Sequence, residues 1–213
     1  MKTPQPNSGV AMNGGLAAEP VDIQPVTLEG LYVRLDPLSM SHLDAICEVG
    51  LNDDLFRWFP FPVVTGDDMR ASIEVALRDQ EAGTALPFVT RELNSERLVG
   101  STRFANIDRL NRRVEIGFTW IGRKWQRTAV NTEAKYLMLR HAFETWRCIR
   151  VELKTDSLNE RSRKAILRIG AKEEGTFRNH MVTASGRLRH SVYFSIIDSE
   201  WPEVKKELER KLG

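Results

Sequence analysis

The alternation of apolar and polar residues changes its period several times along the chain, and each change predicts a new element. Residues 31–35 alternate as a short strand, which Pro37 brings to an end. Apolar positions then recur at helical spacing from about residue 39 to 51. A second helix is predicted over residues 67–81, where two aspartates suit a helix N-terminus. The first part of the chain is therefore predicted to hold one strand and two helices.

The middle of the chain first alternates with a period of two and then becomes helical. Three strands are predicted to form an antiparallel meander, at residues 86–91, 98–107 and 113–121. Residues 130–146 carry two apolar stripes, which predicts a mostly buried helix that leaves Glu133 to solvent. A strand at 149–155 follows, so this helix is predicted to be the crossover between two parallel strands.

The ends of the chain differ in composition. The C-terminal part is predicted to form a helix, two strands and a polar helix, at residues 158–169, 174–180, 189–197 and 202–212. Residues 1–25 are rich in proline and glycine and hold no aromatic residue, so they are predicted to be a flexible tail. We therefore expect one mixed α/β domain over residues 26–213, built on a twisted, largely antiparallel sheet.

Composition excludes several classes of protein. The 213 residues carry a net charge of +2, which provides no field for nucleic acid or a membrane surface, and no apolar run is long enough to span a bilayer. Cys47 and Cys148 lie in helical patterns without ligand or redox spacing, so neither a disulfide nor a metal site is expected. The expected location is the reducing cytoplasm.

The turn at residues 120–134 joins a strand to the N-terminus of the buried helix. Free backbone N–H groups there, beside Arg123, Lys124 and Arg127, would attract a phosphate. The alternative is an ordinary loop with solvated cations and a capping Thr128 or Asn131.

The start of the next helix, at residues 157–162, is polar, and the same face becomes apolar further along. Asn159 and Ser162 share this face, so they are candidates to bind an amide-bearing ligand. The alternative is that both side chains only satisfy backbone groups at the helix start.

Four short motifs carry a resemblance to a known family. They are Val-Glu-Ile-Gly-Phe at 114–118, Asn-Thr-Glu-Ala at 131–134, Asn-Glu-Arg-Ser at 159–162 and Ile-Gly-Ala at 169–171. Together they resemble the GNAT superfamily of N-acetyltransferases, in its ribosomal-protein serine acetyltransferase-like (Rim-type) branch, from about Thr27 to the C-terminus. The resemblance implies the GNAT fold, acetyl-CoA as cosubstrate, an amine acceptor and no metal.

The resemblance also implies which residues bind the cofactor. The strand bulge after Gly117 would face the pantetheine and thioester, the turn would hold the pyrophosphate, and the next helix would bind pantetheine. The implied contacts are Phe118, Thr119, Trp120, Ile121, Gln126, Arg127, Thr128, Ala129, Val130, Asn131, Asn159, Ser162 and Lys164. The family commonly has glycine in this turn, where the chain has Gln126 and Thr128.

The implied reaction is direct attack of a neutral amine on the thioester. Glu115 is the candidate base, because Val114, Ile116, Phe118 and Trp120 form the apolar set of its strand and leave Glu115 on the other face. The alternative is a solvated or salt-bridged strand glutamate. Ser162 is the candidate partner of the leaving thiolate, since the helix holds no tyrosine and has Leu167 instead.

An aromatic segment supplies the candidate acceptor site. Phe56, Trp58 and Phe59 are predicted to shape it together with Glu115, while a dimer contact or simple core packing are the alternatives. Four scattered histidines, His180 among them, are read as structural.

The function predicted from these observations is acetyl transfer to a primary amine, first of all the N-terminal α-amine of a protein or peptide. A small-molecule amine, including an antibiotic, is the enzymatic alternative. A degenerate module that binds coenzyme A without turnover is the third, motivated by Gln126, Thr128 and the absent tyrosine. A homodimer is compatible with each.

Overall fold

The computed structural model describes residues 23–51 and 54–213, which form one sheet with helices on both faces. Most of the predicted tail, residues 1–22, lies outside the described residues. Ile23 falls inside the predicted tail, but it is buried in the main core.

Within residues 23–51 and 54–213 the sheet has eight strands, and seven of them lie where the sequence predicts a strand; the exception is a two-residue strand at the start. They are β1 Leu28–Glu29, β2 Val33–Pro37, β3 Leu86–Glu92, β4 Arg97–Asp108, β5 Arg113–Ile121, β6 Arg150–Asp156, β7 Lys172–Val182 and β8 Leu188–Ile197. Their order across the sheet is β1-β2-β3-β4-β5-β6-β8-β7, and all neighbours are antiparallel except β5 and β6. The predicted fold class is confirmed.

In the described part of the chain, five α-helices connect and flank the strands. They are α1 Leu43–Gly50, α2 Gly66–Glu81, α3 Ala129–Arg140, α4 Glu160–Arg168 and α5 Trp201–Leu212. The predicted long helix continues beyond α3 as a π-helical turn, His141–Thr145, in which Trp146 N donates to His141 O at 3.0 Å. The helix α3 is therefore the predicted crossover, and it joins the two parallel strands.

The sheet separates two apolar cores. The main core lies on the face covered by α3 and α5, and its fully buried side chains include Phe104, Leu137 and Phe194. The second core lies on the other face, where α1, α2 and the aromatic loop between them pack on Val89 and Trp120. Because both faces of β3 to β5 are covered, these strands form a rigid support for whatever lies at their ends.

Glu133 contradicts its prediction as a solvent-facing residue of the crossover helix. Its carboxylate is buried and accepts the backbone N–H groups of Leu31, Tyr32 and Val33 at 2.8, 2.6 and 2.8 Å. A Cβ at Gly30 would lie 2.4 Å from the same carboxylate, so only glycine allows the approach. One acidic side chain thus fixes the β1–β2 turn to α3.

We expect Glu133→Gln to lower the free energy of unfolding by about 2–4 kcal/mol. The glutamine amide has only one oxygen to accept the three backbone hydrogen bonds, and its NH2 group would face backbone N–H groups that also need an acceptor. Urea unfolding followed by circular dichroism measures this. Glu81→Gln, at the exposed end of α2, is the control and should change the free energy by less than about 0.5 kcal/mol. Equal effects of the two substitutions would contradict the role of Glu133.

Candidate active site

A gap opens in the sheet where the two parallel strands diverge. β5 and β6 pair at only three positions, from Arg113 with Arg150 to Glu115 with Glu152, and then separate. The rest of β5, residues 116–121, and the end of β6 line the gap. The N-termini of α3 and α4 lie at its open end, because each helix follows one of these strands along the chain.

A bulge in β5 lies on the edge of this gap. Phe118 and Thr119 stand opposite the single residue Thr102 of β4, and Phe118 has a φ of +51°. Two residues opposite one, with a positive φ, define a β-bulge and re-aim the side chains that follow.

The bulge overturns the predicted apolar face of β5. Val114 and Ile116 belong to the main core, but Trp120 belongs to the second core on the other face of the sheet. The prediction placed Val114 and Trp120 on one face because it assumed a regular strand, without the extra residue of the bulge. The side chains of Trp120 and Ile121 are therefore core residues, and only their backbone borders the gap.

Buried cations contact the bulge from both faces. The Arg103 guanidinium lies 3.4 Å from the centre of the Phe118 ring and 3.3 Å from the Asp79 carboxylate. On the α3 face, Lys135 Nζ donates to Thr119 Oγ1 at 2.6 Å. Burial lowers the pKa of Lys135 to about 7, while the Glu115 charge acts in the opposite direction.

The turn after β5 does not need glycine where the sequence has Gln126 and Thr128. Gln126 has φ −71° and ψ 145° and Thr128 has φ −105°, which are extended conformations open to any residue. The left-handed residue is Arg127, with φ 64°. The departure from the family pattern at 126 and 128 therefore costs no backbone strain.

Helix α3 begins at the edge of the gap with a capping threonine. Thr128 Oγ1 accepts from Val130 N at 3.3 Å and donates to Trp125 O at 2.7 Å. The first-turn N–H groups of Ala129 to Asn131 have no acceptor within the helix. Asn131 Oδ1 is buried without a hydrogen-bond partner, which marks this end of the helix as polar and unsatisfied.

Helix α4 brings the second predicted constellation against the first. Asn159 Oδ1 caps α4 by accepting from Ser162 N at 3.1 Å, as the structural alternative predicted, and its amide nitrogen remains to donate. Arg161 of the same turn contacts Gln126 Oε1. Lys164 is exposed and pairs only loosely with Glu160, at 3.8 Å.

Glu115 lies at the closed end of the gap with its two oxygens in different roles. Oε2 accepts from Lys154 Nζ and from Asn106 Nδ2, both at 2.7 Å. Oε1 points at Gly117, where a Cβ would lie 2.7 Å away. The salt-bridged alternative is therefore correct for Oε2, while Oε1 faces the residue that precedes the bulge.

The aromatic segment covers the bulge from the second core. Phe56 is buried against Trp120, at 5.4 Å between ring centres, so it is a packing residue. Phe59 lies 6.5 Å from the Phe118 ring. These rings and Arg103 line a cavity of about 30 Å³.

Trp58 lies further along, beside the start of β8. Its carbonyl accepts from Arg189 Nη1 at 3.2 Å, and its ring lies 5.8 Å from the Arg187 guanidinium. The three predicted acceptor residues therefore do not form one wall. Phe56 and Phe59 line the small cavity, whereas Trp58 contacts the arginines at the start of β8.

Side chains of β7 and β8 form a wall beside Lys154 that was not predicted from the sequence. Tyr193 of β8 lies between Phe177 of β7 and Lys154. The two ring centres are 4.6 Å apart, and Lys154 Nζ lies 5.7 Å from the centre of the Tyr193 ring. His180 Nδ1 lies 3.0 Å from Ser191 Oγ, and burial with the nearby charges of Lys154 and Arg189 lowers the pKa of His180. The alternation of β7 and β8 hints at a common face but does not identify its partners.

A polar cavity of about 470 Å³ lies against this wall. It is open on the sheet face and is lined by Asn106, Arg113, Val114, Glu115, Arg150, Glu152, Glu174, Gly175, Phe177 and Tyr193. Its charges are largely paired, as Arg150 with Glu174 and Glu115 with Lys154. The cavity is thus open, polar and bordered by paired charges.

Comparisons with known proteins agree with this geometry. Residues 33–172 match the family described as "Acetyltransferase (GNAT) domain". A crystal structure of a GCN5-related N-acetyltransferase from Brucella melitensis superposes with a TM-score of 0.82 and 31% identity, covering 89% of this chain and 86% of that one. Mycobacterium smegmatis RimJ shares the fold, with a TM-score of 0.78 at 22% identity over 89% of this chain and 96% of that one.

Two bacterial sequences extend the comparison. "Putative ribosomal N-acetyltransferase YdaF" of Bacillus subtilis (strain 168) is 34% identical over 108 residues, which are 51% of this chain and 58% of that protein. "Uncharacterized N-acetyltransferase p20" of Bacillus licheniformis is 24% identical over 82% of this chain and 99% of that protein.

The fold and the gapped sheet thus define an acyltransferase class of protein. The chain belongs to the GNAT family of acetyltransferases. Within residues 23–51 and 54–213, none of the helices combines the length and hydropathy of a transmembrane span.

Proposed function

We propose that this chain transfers the acetyl group of acetyl-CoA to a primary amine, and that the amine is the N-terminal α-amine of a protein or peptide. The observation that carries the proposal is the gap between β5 and β6, with a bulge on one edge and two helix N-termini at its mouth. A gap of this shape lets a long thioester reach the middle of the sheet from the helix side while an acceptor enters from the other face.

The residues at the mouth fit coenzyme A. The first turn of α3 offers backbone N–H groups and the positive end of a helix dipole to the pyrophosphate. The unsatisfied Asn131 Oδ1 needs a donor, which the amide groups of pantetheine can supply, and Asn159 retains its amide nitrogen. The RimJ of the same fold was crystallised with CoA-disulfide, so this architecture can accommodate the cofactor.

Acetyl-CoA supplies an activated acetyl group when it is bound. Glu115 Oε1 accepts the proton of the attacking amine, as a new N–C bond forms and the C–S bond breaks. Lys154 and Asn106 hold the other oxygen, so the carboxylate keeps one orientation. Ser162 lies in the first turn of α4 and donates its hydroxyl proton towards the leaving sulfur, with water replacing that proton afterwards.

An α-amine suits this site better than a lysine side chain. Its reference pKa of about 8 leaves a useful neutral fraction near pH 7.5, whereas lysine near 10.4 does not. The open polar cavity beside Glu115 also accommodates a peptide end. The similarity to YdaF, whose name describes it as ribosomal, favours a protein acceptor.

Thiol release with a panel of acceptors tests the function. We expect turnover with peptides that carry a free N-terminus, little with the same peptides acetylated at the N-terminus, and little with aminoglycoside or polyamine acceptors. The acetylated peptides are the matched control because they keep every side-chain amine. Preference for the small amines would establish the alternative function, and coenzyme A binding without any turnover would establish the non-catalytic one.

Replacing Thr128 with glutamate tests the cofactor site. The new carboxylate would lie at the first turn of α3, where the phosphates are proposed to bind, and like-charge contact should weaken coenzyme A binding by about 30-fold, on the order of 2 kcal/mol. Titration followed by Trp125 fluorescence measures the affinity, because Trp125 lies in the turn. Thr128→Ser keeps the cap and is the control. Unchanged affinity in a folded Thr128→Glu variant would move the pyrophosphate elsewhere.

Replacing Glu115 with glutamine tests the base. We expect kcat to fall by about 100-fold near pH 7, with a deficit that shrinks as pH rises and the amine deprotonates without help. Glu152→Gln is the matched control, because Glu152 faces the same cavity but pairs with Arg113 and Arg150. A loss that does not depend on pH, or an equal loss in both variants, would remove Glu115 from the chemistry.

A further inference from the structure

The bulge at Phe118 and Thr119 is the least relaxed part of the strand that borders the gap. Phe118 holds a left-handed conformation, φ +51°, which a bulky non-glycine residue adopts only when its surroundings impose it. Since the bulge replaces a regular ladder, its backbone position depends on side-chain contacts. Besides the aromatic rings near Phe118, two charged residues provide such contacts.

On the α3 face the contact is a buried ammonium group. Lys135 is only 6% exposed, and its Nζ donates to Thr119 Oγ1 at 2.6 Å and to Thr102 Oγ1 at 3.3 Å. The two hydroxyls also contact each other at 2.7 Å. Thr102 and Thr119 are the residues that face each other across the bulge, so the ammonium joins its two sides.

On the opposite face the contact is a buried guanidinium. Arg103 lies flat against the Phe118 ring, 3.4 Å from its centre, and its side chain is 5% exposed. Asp79 of α2 holds it at 3.3 Å. The side chain of Phe118, whose backbone φ is strained, therefore contacts a cation that is itself held by Asp79 of α2.

Burying the charges of Lys135 and Arg103 costs desolvation free energy, which apolar side chains at the same positions would not cost. Apolar side chains of similar length usually fill such positions with no loss of stability. Lys135 contacts hydroxyl groups, and among the ion pairs of the described residues it has no carboxylate at contact distance. Its charge therefore serves something other than an ion pair.

We propose that Lys135 and Arg103 are positioning residues, which hold the Phe118–Thr119 bulge from opposite faces of the sheet so that its backbone donors meet the thioester. This rests on the proposed function, because the thioester is placed at the bulge. Neither residue contacts the reacting atoms: Lys135 acts through Thr119 and Arg103 acts through Phe118. Donors that must meet a developing charge tolerate displacements of only about 0.5 Å.

Substitutions at the lysine contact provide the test. Lys135→Met keeps the length of the side chain and removes the charge, Thr119→Val removes the hydroxyl, and Thr119→Ser keeps it. We expect the first two to lower kcat by about tenfold or more, with coenzyme A affinity within about threefold of wild type, and Thr119→Ser to lower kcat less than Thr119→Val does. Lys205→Met, which only removes a surface pair with Glu144, is the matched control.

The arginine contact is tested in the same way. Arg103→Lys keeps the charge but loses the flat stacking on Phe118, and Arg103→Met loses both. Both variants should lower kcat more than they weaken coenzyme A binding, and Arg103→Met more than Arg103→Lys.

The pH dependence of Lys135→Met separates positioning by the charge from simple packing. Because burial places the pKa of Lys135 at about 7, its charge is complete below that pH and is lost as pH rises. The charged group that acts on it is Glu115 of β5, while β4 and β5 contribute the neutral hydroxyls of Thr102 and Thr119. The ratio of wild-type to Lys135→Met kcat should therefore fall between about pH 6 and 8.

Two results would overturn the proposal. One is a folded Lys135→Met or Thr119→Val variant whose kcat stays within about threefold of wild type. The other is a parallel loss of kcat and coenzyme A affinity, constant with pH, which indicates general packing. Failure of the proposed function looks different, because the wild-type protein would then release no thiol with any amine.

Discussion

The short parallel pairing of β5 with β6 is the constraint on which the rest of the structure depends. Three paired positions hold the two strands together, and beyond Glu115 and Glu152 the sheet opens. The crossover helix α3 must start beside the opening, because it follows β5 directly, and α4 starts beside it because it follows β6. The same divergence that weakens the sheet therefore creates a site bordered by free backbone groups and helix N-termini.

Buried charges hold the surroundings of this gap in place. Glu133 fixes the first hairpin to α3, Lys154 fixes the Glu115 carboxylate, and Arg103 and Lys135 contact the bulge. Each of these groups has lost most of its water, and each regains hydrogen bonds or ring contacts of defined direction. Directional contacts of this kind restrict geometry more strongly than apolar packing does, which suits a site where small displacements are costly.

The sequence predicted the elements well and the local exceptions poorly. Among the described residues, periods of two and 3.6 located seven of the eight strands and all five α-helices, because these periods come from burial of one face or stripe. The resemblance implied a bulge after Gly117, but the pattern did not, because residues 114–120 alternate in the sequence as if the strand were regular and the φ of Phe118 leaves no compositional trace. The error reversed the predicted face of Phe118 and Trp120.

Other misses have a common physical origin in distant partners. Glu133 resembles a surface residue until the backbone of residues 31–33, about a hundred positions away, is brought against it. The left-handed φ of Arg127, beside the two positions where the family commonly has glycine, also could not be read from the sequence. The wall formed by Tyr193, Phe177 and His180 exists only once β7 and β8 pair.

The central claim is that the gap between β5 and β6 holds the cofactor, and a crystal structure of the protein with coenzyme A tests it most directly. We predict electron density for the pyrophosphate at the first turn of α3, near Thr128 and Asn131, and for the sulfur beside Phe118 and Thr119. Density for coenzyme A outside the gap, with the gap filled only by water, would contradict it.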